Sequence, residues 1–232
     1  MMRKKIFVKT HLGMGDNIIH NGMIRKIAQD NPDCQIYTAA KDHNFKNVEF
    51  MYRDNDNITV ISVNGDGGMG VHLRDVNYDK VITTHFADNN SLSYEVYFDD
   101  AFYMLANMDP KVKTEYFHIE RDHDKENEIY DELITKNGIT DYVFVHEKTD
   151  YRVLVDRNRL EPNLPVIVAE PKYGMFDLLK VIENAKSVNI ISSSFLSLFM
   201  CKKFNKNTFA HMYSDRKFIA PYITKNNIEV LL

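Results

Sequence analysis

The sequence of 232 residues contains no tryptophan, two cysteines and six prolines, and it has no long apolar run. Cys34 and Cys201 lie far apart, so we predict free thiols in a reducing, cytoplasmic setting and no disulfide framework. Only IFV follows the basic RKK near the first residue, which is too short for a secretory signal. The serines at 192–194 interrupt the last apolar stretch, so no transmembrane helix is expected.

The chain also lacks an excess of charge of one sign. Its 29 Lys and Arg residues against 33 Asp and Glu residues give a net charge of −4. This balance offers no electrostatic reason to bind nucleic acid or an anionic membrane. With no transmembrane helix expected, we expect at most a peripheral membrane association. Apolar residues make up 44% of the sequence and charged residues 27%, which is typical of a globular protein with a substantial core.

In the first half of the chain, short apolar runs alternate with stretches in which apolar residues recur every three or four positions. The first pattern predicts buried strands and the second predicts helices. A helix is expected from Asn17 to the DNPD segment, and an aromatic-rich helix with core Phe and Tyr side chains over 94–108. The glycine-rich NGDGGMG at 64–70 is predicted to be a loop. The predicted strands are KKIFVK, CQIYTAA, ITVISV and DKVITTHF.

The same alternation restarts after a strongly charged segment. Residues 120–137 are predicted to form a charged helix that ends at Gly138, a suitable C-terminal cap. Strands are then expected at DYVFVHE, LPVIVAE, SVNIIS and NIEVLL, with helices between them. The pattern predicts an α/β protein with two successive units, each with a parallel sheet. We place the boundary within 110–138 and the two domains at 1–112 and 113–232.

Two glycines and an aspartate lie between the first predicted strand and the first helix. In a parallel sheet, Gly13, Gly15 and Asp16 would lie at the carboxyl edge, where ligands usually bind. The third glycine of a dinucleotide-binding fingerprint is missing, which disfavours a dinucleotide-dependent enzyme. The carboxylate of Asp16 would repel phosphate, but it can accept a proton from a hydroxyl group. The alternative is that Asp16 caps the helix.

Three serines mark a second candidate site. Ser192, Ser193 and Ser194 follow a predicted strand, and the helix that contains Phe195 begins at once. Unpaired backbone N–H groups and small hydroxyl groups at a helix start can bind an anion. Serine is also a favoured helix cap, so the pattern alone leaves both roles open.

Basic residues follow the first strand of the second half, in FVHEKTDYRVLVDRN. Of these we favour Lys148 and Arg152 as ligands of a phosphate group. The alternative is a solvated hairpin with charges that pair with one another. The nine histidines are scattered without the spacing of a metal site, and neither cysteine has a nearby histidine. We therefore expect no metal ion and no cofactor.

Two segments together resemble a known family. GMGDNIIHNGMIRKIAQDNPDCQIYTAA (13–40) resembles the opening of the lipopolysaccharide heptosyltransferases of glycosyltransferase family 9. AKSVNIISSSFLSLF (185–199) resembles the segment of that family's second domain that holds the donor diphosphate, and it is also similar to a Ser-Ser-Phe segment of α-1,6-fucosyltransferase-type enzymes. The chain has Ser192–Ser194 where the heptosyltransferases have Asp-Ser-Gly, and Ser197 where they have histidine.

This resemblance implies a minimal GT-B fold, with two Rossmann-like domains that face each other across a cleft. The implied activity is an inverting, metal-independent transfer of a sugar from a nucleotide-diphosphate donor to a hydroxyl group of a carbohydrate or glycolipid acceptor. Asp16 would be the catalytic base, and Gly13 and Gly15 would lie on the acceptor side. Donor binding would fall to Lys148, Arg152, Ser192, Ser193, Ser194 and Phe195. The alternative is a non-catalytic module of the same fold that binds a nucleotide or a sugar phosphate.

Overall fold

The computed structural model describes residues 3–84, 98–148, 155–212, 223–224 and 227–231. The chain divides into two units, Met1–Glu120 and Arg121–Leu232. Each unit contains one parallel sheet with connecting helices, so the predicted α/β class with two parallel sheets is confirmed.

In its described residues, the first unit contains four parallel strands in the order β3-β2-β1-β4. β1 lies inside this sheet, where Ile6 pairs with Ile36 on one side and with Lys80 on the other. The order reverses between β1 and β4, and such a switch point leaves a crevice at the carboxyl ends of the two strands. The strands are β1 (Lys4–Lys9), β2 (Cys34–Lys41), β3 (Ile58–Val63) and β4 (Lys80–Thr83). The helices are α1 (Met14–Asp30), α2 (Phe45–Phe50), α3 (Gly65–Asp75), α4 (Phe98–Leu105) and α5 (Val112–Glu115).

The part of the second unit that the structure describes contains five parallel strands in the order β6-β5-β7-β8-β9. Its switch point lies between β5 and β7, which pair directly. The strands are β5 (Val143–His146), β6 (Val166–Val168), β7 (Ser187–Ile191), β8 (Asn207–His211) and β9 (Glu229–Leu231). The helices are α6 (His123–Leu133), α7 (Leu179–Asn184) and α8 (Ser194–Cys201), with 3-10 turns at Thr135–Asn137 and Arg157–Arg159. Gly138 has a φ of 63° after the first of these turns, as its predicted capping role requires.

The prediction of a loop at 64–70 is wrong, because α3 begins at Gly65. Met69 is buried in a core cluster with Phe7 and Val63, and this contact outweighs the low helix propensity of the surrounding glycines. The aromatic helix is described as Phe98–Leu105, while the predicted residues 94–97 lie outside the described part of the chain.

The division after Glu120 lies within the predicted range of 110–138, and it places residues 112 and 113, where we set the domain limits, in the first unit at α5. This short helix packs closely on α1, since a Cβ atom on Gly22 would lie 2.5 Å from the carbonyl oxygen of Val112. Further along, Arg25 donates to the carbonyl of His118, and Arg53 donates to that of Glu120. These contacts keep the chain up to Glu120 on the first unit.

Candidate functional site

Asp16 lies at the switch point of the first sheet, in the first turn of α1. The helix begins earlier than predicted, at Met14, and Gly13 is its N-cap, so Asp16 is not the N-cap residue. One carboxylate oxygen of Asp16 lies 2.6 Å from the position that a Cβ atom on Gly13 would take. The carboxylate therefore folds back over Gly13, whose missing side chain makes the room.

The two glycines have different roles from those expected of a flexible turn. Gly13 has φ −65° and ψ 148°, which any residue can adopt, so it supplies space and not an unusual backbone conformation. Gly15 lies inside the first turn of α1. Their predicted contact with an acceptor stays a prediction.

His20, one turn after Asp16, connects α1 to the end of β4. Its Nδ1 is 2.7 Å from the carbonyl oxygen of Asp16, and its Nε2 is 2.8 Å from Oγ1 of Thr84. A carbonyl only accepts, so Nδ1 carries the proton, and Nε2 of the neutral ring accepts from the Thr84 hydroxyl, whose oxygen also lies 3.1 Å from the carbonyl oxygen of Lys9. Complete burial lowers the pKa of His20 to about 4, which keeps this imidazole neutral. His20 was not among the predicted site residues, because no local sequence pattern connects it to Thr84.

We expect acid to destabilise the first unit through His20. The imidazole takes up its proton near pH 6.5 in the unfolded chain and near pH 4 in the folded one. Between these values the unfolded state binds more protons, so stability falls as the pH falls from about 6.5 to about 4. Between pH 7 and pH 5 the expected loss is about 2 kcal/mol.

Urea unfolding of the wild type and of His20→Gln at both pH values measures this loss. Glutamine can still donate to the carbonyl of Asp16, but it does not titrate. The variant should lose less stability at pH 5 than the wild type does. An equal loss in the two proteins would show that His20 is not the group responsible.

The second candidate site bridges the ends of β5 and β7. Ser193 is the N-cap of α8, and its Oγ accepts a hydrogen bond of 3.3 Å from the N–H of Phe195. The same Oγ lies 3.1 Å from Nδ1 of His146, the last residue of β5. The Phe195 ring lies 4.5 Å from the imidazole of His146. The capping role is thus confirmed for Ser193, and its predicted contact with a donor stays a prediction.

His146 is the residue that sequence reasoning passed over in favour of its basic neighbours. Burial lowers its pKa to about 4, so the imidazole is neutral at pH 7. With the Ser193 hydrogen directed at Nδ1, the imidazole carries its proton on Nε2, where it can donate to an anionic oxygen. The sequence feature that could have pointed to His146 is its position as the last residue of a buried strand.

The predicted basic residues differ in their exposure and in their ion pairs, and one of them lies outside the described residues. Lys148 lies just beyond β5 with an exposed side chain, and it forms no ion pair with any residue that the structure describes. Arg152 lies outside the described residues. Arg157 pairs with Glu147 through two hydrogen bonds of 2.8 and 2.5 Å, as the alternative of mutually paired charges predicts. Ser192 and Ser194 are half-buried beside Ser193.

Within residues 3–84, 98–148, 155–212 and the short described pieces after them, no three His, Cys, Asp or Glu side chains are grouped so that they could bind a metal ion. Cys34 and Cys201 do not form a disulfide. None of the helices in the described part combines the length and apolar character that crossing a membrane requires.

Comparison with solved structures identifies the fold. Neither a protein-family model nor a curated protein matches the sequence. The chain is similar to a glycosyl transferase family 9 protein from Veillonella parvula, with a TM-score of 0.65, 13% identity, and coverage of 98% of this chain and 86% of that one. The chain has the GT-B fold.

A second GT-B structure agrees with the first. ADP-heptose lipopolysaccharide heptosyltransferase II from Escherichia coli gives a TM-score of 0.59 at 10% identity, over 89% of this chain and 84% of that one. The predicted resemblance to this group is confirmed for the fold. The similarity to fucosyltransferases stays a prediction.

Proposed function

We propose that this protein is a glycosyltransferase that moves a sugar from a nucleotide-diphosphate donor to a hydroxyl group of a carbohydrate or glycolipid acceptor. One observation carries the proposal: three of the residues predicted from sequence lie at the switch points of the two sheets. Asp16 lies at that of the first sheet, and Ser193 and Phe195 lie at that of the second. Open α/β sheets bind their ligands at such crevices. The GT-B fold of the two structural relatives supports this assignment.

The donor would bind to the second unit. The first-turn N–H groups of α8 would face its diphosphate, and the Nε2–H of His146 would donate to a phosphate oxygen. Lys148 and Arg152 would supply the positive charge, with Ser192 and Ser194 lining the turn. These groups would stabilise the charge that develops on the departing nucleoside diphosphate, so no divalent metal ion is required.

The acceptor would bind to the first unit. As its hydroxyl oxygen attacks the anomeric carbon, the bond from that carbon to the diphosphate breaks and the hydroxyl proton passes to Asp16. Attack from the side opposite the leaving group inverts the anomeric configuration. Gly13 and Gly15 would leave the approach to the carboxylate open.

One observation favours the alternative of a non-catalytic module. Asp16 is the third residue of α1 and folds back over the N-cap residue Gly13. Acidic side chains at this position stabilise helix starts without taking part in chemistry. Nucleotide binding is expected of both functions, so only turnover separates them.

Nucleotide binding is tested by the melting temperature of the protein with UDP, GDP, ADP or CMP in the presence of EDTA. At least one nucleoside diphosphate should raise it. Ser193→Asp should abolish the shift, because it places a negative charge at the start of α8, while aspartate preserves the cap.

The matched control is Asn207→Asp, which adds the same charge at the first residue of β8. This residue lies at the amino ends of the strands, whereas Ser193 follows the carboxyl end of β7. It should leave the nucleotide-induced shift unchanged. A shift that appears only with a divalent ion would contradict metal independence. A shift that survives Ser193→Asp would place the diphosphate elsewhere.

A further inference from the structure

An exposed aromatic ring lies at the carboxyl edge of the first sheet. Phe98, in α4, is 50% exposed, and its ring packs edge-on against Phe102 at 4.6 Å. It also lies 5.9 Å from the ring of His11, which follows β1. Phe102 is buried and contacts the rings of His11 at 5.2 Å and His20 at 4.4 Å. The prediction that these aromatic side chains lie in the core is confirmed for Phe102 and wrong for Phe98.

This ring cluster is continuous with the turn that carries Asp16. His11 precedes the N-cap residue Gly13 by two positions, and His20 donates to the carbonyl of Asp16. A single exposed apolar side chain needs no explanation by itself, and Met104 of the same helix is such a case at 45% exposure. Phe98 differs because its ring contacts His11, in the segment that leads from β1 to the Asp16 turn.

The backbone that carries Phe98 is firmly anchored. The next residue, Asp99, accepts a 2.5 Å hydrogen bond from Nζ of Lys113, and Asp100 accepts one of 3.1 Å from the same atom. Lys113 and Asp99 are buried, at 5% and 3% exposure. The exposed ring is therefore held in place before any ligand arrives, which lowers the entropic cost of binding.

We propose that Phe98 is a platform on which one pyranose ring of the acceptor stacks, an inference that depends on the proposed glycosyl transfer. The face of an aromatic ring carries negative charge and attracts polarised C–H groups. A pyranose ring presents several C–H groups on one face while its hydroxyl groups point outward. The platform would thus bind a neutral sugar ring with one hydroxyl group free to reach Asp16.

The absence of tryptophan from the chain gives a direct test. Phe98→Trp introduces a single indole that preserves an aromatic face and reports on its surroundings by fluorescence. The variant is titrated with methyl α- and β-pyranosides of glucose, galactose and mannose, and with the open-chain polyol sorbitol. At least one pyranoside should give a saturable change in emission, and sorbitol, which has hydroxyl groups but no ring face, should give none.

Met104→Trp is the matched control, with an exposed indole on the same helix away from the ring cluster. It should not respond to any of these sugars. The proposal is overturned if Phe98→Trp is silent to every pyranoside, or if sorbitol or the control gives the same change. It is also overturned if the protein sediments as a dimer and Phe98→Ala makes it a monomer, since a second copy would then cover this face.

This titration requires no donor, so its outcome is separate from that of the nucleotide test. Pyranoside binding without nucleotide binding would preserve the platform and reject glycosyl transfer. Nucleotide binding together with no fluorescence response of Phe98→Trp would support glycosyl transfer and reject the platform. With a transfer assay, Phe98→Ala should raise the KM for the acceptor about two- to twelvefold at unchanged kcat, and Phe98→Tyr should restore it.

Discussion

Asp16→Asn is expected to lower the rate of glycosyl transfer about 10²–10⁴-fold, the usual contribution of a positioned general base. Asparagine has nearly the same size and can occupy the same place over Gly13, but it cannot accept the acceptor proton. Nucleotide binding should persist, because the donor is assigned to the second unit. Release of nucleoside diphosphate measures turnover, and the melting temperature with and without nucleotide measures folding and binding.

Gly13→Ala provides a second test that keeps the carboxylate and moves it. The new methyl group would lie 2.6 Å from the present position of the Asp16 oxygen, so the carboxylate must rotate away. Alanine readily adopts φ −65° and ψ 148°, so the fold should be preserved. Transfer should fall about 10²-fold, as expected for a displaced catalytic group. Full activity of Asp16→Asn would instead mean that the base lies elsewhere and that this carboxylate serves only the helix start.

Lys113→Ala should destabilise the first unit by about 3–5 kcal/mol, because it removes the cation that Lys113 supplies to the buried carboxylate of Asp99. Lys113 connects α5 to two carboxylates of α4. Urea unfolding at pH 7 measures the loss. The matched control is Lys26→Ala, which removes an exposed i,i+4 pair with Asp30 on α1 and should change stability little.

A double variant separates the buried charge from the lost packing. Lys113→Met with Asp99→Leu replaces the pair by apolar side chains and should recover much of the stability, since no charge remains buried between these two positions. A loss in Lys113→Ala no larger than that in Lys26→Ala would show that the ion pair contributes little.

The sequence predicted the order of strands and helices well, because apolar periodicity reflects which side chains are buried. β1, β2, β3, β5 and β7 all lie in the predicted apolar runs. β8 was missed, since its five residues, NTFAH, contain few apolar side chains. α3 was missed because its four glycines favour a loop in the sequence pattern, whereas the burial of Met69 in the core stabilises the helix.

The location of the candidate sites could be predicted from the sequence, but the contacts between their residues could be predicted only in part. The carboxyl edge of a parallel sheet follows from strand–helix alternation, so Asp16 and Ser193 were found. Contacts such as His20 with Thr84 and His146 with Ser193 join residues that are far apart in sequence. They depend on which strands are neighbours at the switch point, and this strand order cannot be read from a single sequence.

The glycines of α3 have a consequence for how the first unit moves. Each glycine inside a helix costs about 0.5–1 kcal/mol relative to alanine, and around Gly67 and Gly70 there is open space where side chains could have been. The helix is attached to the sheet chiefly through Met69, its one buried residue. Its amide hydrogens should therefore exchange with solvent by local opening, at a free energy well below that of global unfolding. This segment can rearrange while β1 and α1 keep the Asp16 turn in place.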